Sequence, residues 1–432
     1  MLFPRDPLRF VTRLIAEYGD ITRFRLGPIP IILVNHPDHI RHILVDGAGN
    51  YERDSTPHRI ARTIFGNGLA SVVGGESWLE QRRMLQPAFH KNRIAQLYET
   101  IRDTVLAGLD TWEQHVTSGR PIDIEAEMNG LALQVVLRSL FKLDLDRACL
   151  HQLTGSVAQA NRGLAAHVRT PFIPLSVPTP AHRRFRRSMH QIDEIVNGII
   201  DRHQHIDGDG ADLLSMMISA EDQDTGERMS KRQLRDEVFT MLFAGHETSA
   251  NTLSWVWYLL AKHPEIEEKA HAEVDAVLGG RVPTTADLAR LPWIRAIIDE
   301  TLRLYPPGWQ GYRSARVDDN IAGYSVPRGT TVFYSSYHLH RHQSFWTDPE
   351  LFKPDRFLTV ETERRHRGAY IPFGEGRHLC IGKPLAMLEI PLVIAATLQR
   401  YRLTLTQDET VEPAPLVTLR MTNPVRMQVT RR

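Results

Sequence analysis

The stretch Phe373-Gly374-Glu375-Gly376-Arg377-His378-Leu379-Cys380-Ile381-Gly382 sets three glycines around one cysteine, directly ahead of a helix whose early turn contains Pro384. A thiolate at a helix N-terminus is favoured by the unpaired amide donors and the positive end of the dipole, which lowers the thiol pKa and supports metal ligation. Gly376 and Gly382 let backbone amides approach the sulfur, and Phe373 shields it. A lone cysteine is ordinarily a small buried hydrophobe. That reading stands for Cys149, in an apolar helix, whereas the setting of Cys380 makes it a protected thiolate.

Outward from this loop, the 432 residues are 42% hydrophobic and 24% charged, the balance of a water-soluble globule with ample core material. Lys plus Arg number 52 against 51 Asp plus Glu, so no global charge excess points to nucleic acid or anionic lipid. Two cysteines are too few for a disulfide framework and fit a reducing compartment. No apolar run approaches the roughly 18 residues of a membrane span. A cytoplasmic, unanchored monomer is expected.

Asp20 to Leu26 and Ile29 to Val34 flank Gly27-Pro28 and predict a hairpin. From Pro37 to Gln204 the pattern is mainly amphipathic helix, interrupted by the proline-rich loop Thr170 to Pro180. Ser230 with Gln233 forms a capping box, and the helix it opens should run to Lys262-His263-Pro264, roughly 50 Å at about 1.5 Å per residue. From Val238 to Leu260 it is apolar on nearly every face, which places it through the middle of the molecule. A further helix runs from Pro292 to Pro306-Pro307, a strand covers Thr330 to Ser335, and Pro391 should kink the helix after Cys380. A single domain, 1–432, mainly helical with a small β portion, fits best.

Three constellations lie on these elements. Within the long helix stands Ala244-Gly245-His246-Glu247-Thr248-Ser249, where a glycine costs about 1 kcal/mol. Its missing side chain lets a flat ligand or a water approach the backbone, and Glu247 and Thr248 offer an acid and a hydroxyl for proton transfer. The alternative is that the pair merely satisfies a helix bend; His246 is read as structural. Glu300 and Arg303, three apart, read as an ion pair worth under about 1 kcal/mol if on the surface. Trp78 and Arg82 are four apart and face one direction.

Phe373, Gly376, His378, Cys380 and Gly382 match the ligand-loop signature of the cytochrome P-450 family, and the chain resembles that family from Trp78 through the glycine-bearing helix to Cys380. The resemblance implies the cytochrome P-450 fold, a triangular α-helical haem domain. It makes Cys380 the axial ligand of the iron of haem b (iron protoporphyrin IX), whose thiolate favours O–O cleavage. By the same resemblance Ala244, Gly245, Glu247 and Thr248 form the oxygen-activation motif. Trp78, Arg82, Arg313 and His378 contact the haem propionates, since buried carboxylates need donors. Glu300 and Arg303 meet Arg356 of Pro354-Asp355-Arg356-Phe357 to lock the core. Substrate walls come from Phe243, Ala244, Trp309, Gln310, Val417, the segment before Trp78 and the lid near Phe172.

The expected reaction is insertion of one oxygen atom from O2 into a lipophilic small molecule. A neutral terpenoid or related lipid is favoured over a fatty acid, because the Ile29 to Val34 strand offers no arginine to hold a carboxylate. No fused reductase segment follows, so electrons are expected from a separate ferredoxin or flavodoxin with its NAD(P)H-dependent reductase, docking near Arg364-Arg365-His366-Arg367. The alternatives are a peroxide-dependent or lipid-rearranging haem-thiolate enzyme, which the Glu247-Thr248 pair argues against, and a haem-binding sensor or carrier. His338, His340 and His342 on one strand face suggest zinc, and Asp207 to Asp212 a calcium loop; neither has a completing ligand set, and both are discounted.

Overall fold

Ser230 Oγ accepts a hydrogen bond from the Gln233 amide at 3.2 Å and opens the helix Lys231–Lys262, 32 residues long. It ends where the His263 amide bonds to Leu260 O and Pro264 begins the next helix. From Leu234 to Leu260 this central helix is buried on almost every face, as its sequence predicts. Helices Ile124–Phe141, Pro292–Leu304 and Lys383–Arg400 pack around it, and Trp255 stacks on Tyr305 with ring centroids 3.7 Å apart. The computed structural model describes residues 6–169, 176–203, 212–219, 226, 228–358, 364–408 and 410–432. Among these residues no helix is long and apolar enough to cross a membrane.

The predicted hairpin forms, with Ile21 opposite Val34 and Leu26 opposite Ile29. Its strand Ile29–Val34, deeply buried over its last four residues, pairs in parallel with Thr331–Tyr334. Strands Gly311–Ala315 and Tyr51–Glu52 complete a five-stranded sheet. Ile122–Asp123, Arg426–Arg431 and Tyr401–Leu405 form a three-stranded sheet, and two further two-stranded sheets lie elsewhere among the described residues. The helix Lys383–Arg400 continues through Pro391.

The Glu300–Arg303 pair is not on the surface: both side chains are fully buried. Arg303 donates Nε to Glu300 Oε2 at 2.7 Å and Nη2 to Oε1 at 2.9 Å, and Arg356 Nε reaches Oε1 at 3.1 Å. The remaining guanidinium donors of Arg303 go to the carbonyls of His340, Pro349 and Leu351, and its face lies over Trp346. Desolvating three charges is tolerable only when every donor is used this way. The network fastens the helix Pro292–Leu304 to the irregular segment that leads toward the cysteine loop.

The three alternating histidines do not share a strand, because Ser336–Leu339 is a short helix. His338 contacts Leu8 O and Ser335 Oγ, His340 Nε2 accepts from the Ile371 amide at 2.9 Å, and His342 meets Asp20. Each is spent on a separate framework contact, and burial pushes His338 and His340 down to about 3. Of the segment Asp207 to Asp212, residues Asp207 to Ala211 lie outside the described residues, and Asp212 caps the next helix through the Ser215 amide.

Replacing Arg356 by Ala leaves part of a buried carboxylate uncompensated and should lower folding stability by about 3 to 5 kcal/mol. Denaturant unfolding checks this; an unchanged midpoint would show that the network is not what holds this segment.

Candidate active site

Cys380 sits in a tight loop whose amide bonds Phe373 O at 3.0 Å, and its sulfur opens into the cavity. Gly376 has φ +70°, and a side chain there would overlap the Leu44 carbonyl, so this glycine closes the loop onto the turn His42–Asp46 and does not serve the sulfur. The amides that do approach the sulfur are those of Gly382 and Lys383. Their effect, with that of Arg82, is outweighed: burial pushes the Cys380 thiol up, not down as its helix-terminal position predicts. A metal bound at this sulfur would favour the thiolate.

The cavity measures about 530 Å³ and is walled opposite the sulfur by the central helix, through Phe243, Ala244, Gly245, Thr248 and Thr252. Thr248 Oγ1 donates to Ala244 O at 2.7 Å, the helix back-bond that the sequence allows. Glu247 does not line the cavity. Its Oε1 accepts from Asn161 Nδ2 at 3.0 Å and Thr418 Oγ1 at 2.9 Å and lies 3.5 Å from Arg420 Nη1. Arg420 is shared with Glu125 at 2.6 Å, so the acid belongs to a separate buried network and not to the chamber where Thr248 stands. Gly245 lines the cavity, and a Cβ there would meet Val136 Cγ2 at 2.8 Å. Close packing against Ile124–Phe141 explains the glycine.

At the edge of the cavity gather Arg53, Arg82, Arg313, His58 and His378. Arg53 Nη1 donates to Leu69 O, Arg82 Nη1 to Leu379 O, and Arg313 Nη1 to Tyr312 O. Both ring nitrogens of His378 lack a partner, and Trp78 lies against the ring at 4.1 Å. Burial, then Arg313, pushes Arg53 down to about 9, and burial with Arg53 and Arg313 drives His378 far below its ordinary range. The single acid among the lining residues, Glu375, is engaged by Arg41. So dense a cationic edge beside a dry sulfur suits a ligand that brings more than one carboxylate as well as a metal, and haem b fits both requirements.

Arg53 and His58 escape the sequence reading because nothing in Glu52-Arg53-Asp54 has a telling spacing. So does the carboxylate pair that holds the substrate-side turn: Asp236 Oδ2 accepts from the Asn67 amide at 2.8 Å and Glu237 Oε2 from the Leu69 amide at 3.0 Å. Of the predicted walls, Phe243, Ala244, Gln310 and Val417 line the cavity. Trp309 does not: its indole bonds Leu416 O at 2.9 Å and packs with Leu8 and Leu419. Phe172 lies outside the described residues.

A helical scaffold that opposes one cysteine sulfur to a long helix, across a chamber edged with cations, is the architecture of a haem-thiolate oxygenase. Residues 3–431 match the family model described as Cytochrome P450, and the chain belongs to that family. It is 38% identical to a cyclooctat-9-en-7-ol 5-monooxygenase of Streptomyces melanosporofaciens, over 92% of this chain and 85% of the relative. It is 32% identical to a pentalenene oxygenase of Streptomyces avermitilis, over 99% of this chain and 94% of the relative. The crystal structure of a cytochrome P450DA heme domain superposes with TM-score 0.87 at 28% identity, covering 98% of this chain and 93% of that one. The fold is thus the cytochrome P450 fold, and the protein is a haem-thiolate monooxygenase that carries haem b and acts with O2, a lipophilic substrate and a redox partner.

Gly245→Ala should cost about 1 to 3 kcal/mol by overpacking, and the added change Val136→Ala should recover part of it. Thermal unfolding of the single and double variants measures this; a stable single variant would refute the packing account. Burial raises Glu237 to about 8, so between the carboxyl's unfolded pKa and that value the native state binds more protons than the unfolded one. Stability should therefore fall as pH rises from about 4.5 to 8. Glu237→Gln keeps an acceptor for Leu69 and should flatten that slope, and an identical pH profile in both proteins would contradict the assignment.

Proposed function

We propose that Cys380 is the thiolate ligand of the haem iron and that residues 1–432 act as one monooxygenase domain on a neutral terpenoid or related lipid. The observation that carries this is the single cysteine sulfur that opens, with Thr248, onto one chamber with a cationic edge. Bound haem supplies reductive activation of dioxygen, with one oxygen atom entering the substrate and the other leaving as water. Phe373 and Gly382 flank the sulfur, while Trp78, Arg82, Arg313 and His378, with Arg53 and His58, hold the two propionates. Charge-assisted donors in so dry a setting bind far more strongly than in water.

Thr248 Oγ1 presents a hydroxyl to the reacting space from the central helix. Glu247 is held by Asn161, Thr418 and Arg420 and reaches Thr248 only by turning its side chain. Glu300, Arg303 and Arg356 are structural. The walls Phe65, Leu69, Leu164, Phe243 and Val417 are apolar, which favours binding through area burial. Relatives whose names specify pentalenene and cyclooctat-9-en-7-ol support a terpenoid. Electrons come from a ferredoxin or flavodoxin with its NAD(P)H-dependent reductase, received near the exposed Arg364 and Arg367.

Reduced wild-type protein under carbon monoxide should show the red-shifted absorption of thiolate ligation, and Cys380→Ser should abolish it. With ferredoxin, reductase and isotopically labelled dioxygen, one labelled oxygen should enter the product. Product formed only with peroxide would overturn the monooxygenase assignment.

A further inference from the structure

Most polar side chains on the substrate side of the cavity are already committed. Thr248 Oγ1 is bonded to Ala244 O and Thr252 Oγ1 to Thr248 O. The Ser249 hydroxyl meets Glu389, and Thr240 Oγ1, which has no partner among the described residues, is packed against Gly68. The hydroxyls of Thr248 and Thr252 have spent their protons on the helix and offer a ligand acceptor lone pairs alone.

Two groups are different. Gln310 lines the cavity with one end of its amide fixed, because the Tyr312 hydroxyl donates to Oε1 at 2.7 Å. Its Nε2 engages no partner among the described residues, and neither does Ser336 Oγ, which lines the same cavity. The two positions are neighbours. Gly311 pairs with Tyr334, so Gln310 and Ser336 leave the two strands at adjoining ends. The residues on either side of Ser336 confirm the proximity: Ser335 Oγ and the Tyr337 amide both bond the carbonyl of Trp309, the residue before Gln310.

We propose that Gln310 and Ser336 form an oxygen-binding corner, and that the natural substrate reaches this enzyme already carrying an oxygen atom, in the simplest case a hydroxyl group. The proposal rests on the terpenoid reading above and narrows it to one that is already oxygenated. An amide donor and a hydroxyl left bare in an apolar wall are unfavourable unless the ligand answers both. An alcohol oxygen accepts from Gln310 Nε2 and exchanges a hydrogen bond with Ser336 Oγ, a ketone oxygen can accept from both, and a hydrocarbon leaves both groups unsatisfied.

The consequence concerns the place of this reaction in a sequence. The substrate must be supplied by a prior hydroxylation, or by a cyclisation that ends in capture of water. This enzyme then adds a second oxygen at another carbon: a mono-alcohol, O2, two electrons and two protons give a diol and water, the electrons arriving from the redox partner. The anchored hydroxyl fixes which carbon lies near the haem, so the corner governs regiochemistry as well as affinity.

The matched pair cedrane and cedrol tests this on the haem-loaded enzyme, read as the spin-state shift on titration. Cedrol should bind about tenfold or more tightly than cedrane, the worth of hydrogen bonds to otherwise unpaired groups. Gln310→Leu and Ser336→Ala should each shrink the preference, the double variant to within about threefold, while cedrane still binds and the carbon monoxide spectrum stays as in wild type. Equal binding of the pair, or a preference that survives both substitutions, overturns the corner while leaving the terpenoid reading intact. Failure of both compounds to bind overturns that reading and the corner with it.

Discussion

A sulfur atom that is to bond iron must be wrapped on one side and bare on the other, and it must stay dry. Water would stabilise the thiolate by itself and compete for the metal; removing it pushes the thiol pKa up. The protein answers with position more than with charge. Two backbone amides reach the sulfur, the Cys380 amide is tied to Phe373 O, and the loop is pressed against the turn that contains Leu44. The segment leading to the loop is itself fastened by Glu300, whose two oxygens gather Arg303, Arg356 and the Lys353 amide. Rigidity that begins at a buried ion pair ends at the sulfur.

Charge is distributed in two separate economies. At the cavity edge, cations accumulate without acids, an arrangement that makes sense only for a ligand that completes it. Behind the central helix, Glu247 is surrounded by Asn161, Thr418 and Arg420 and has no access to the chamber in this conformation. With the acid outside, the hydroxyl of Thr248 faces the reacting space.

The central helix, the hairpin and the helix Pro292–Leu304 were legible in the sequence because capping, periodicity and proline act locally. The cysteine loop was legible for a different reason: its glycines and cysteine are contiguous. What escaped reading was whatever depends on contacts between distant segments. Gly245 looks like an opening for a ligand until Val136, more than a hundred positions away, is found against it. Glu247 and Thr248 are adjacent in sequence, yet a helix turns successive side chains by about 100°, so neighbours need not share a chamber. Trp309 reads as a wall residue until its indole is found on Leu416 O. Arg53 carries no motif at all, and only the fold brings it beside Arg313.

Arg53 also has a second engagement. Its guanidinium lines the cationic edge and simultaneously bonds the carbonyl of Leu69, whose amide is held by Glu237 and whose side chain forms part of the substrate wall. One arginine thus ties the cationic edge to the substrate wall: any shift of its guanidinium pulls on the Leu69 carbonyl and, through that residue, on the outline offered to a guest molecule.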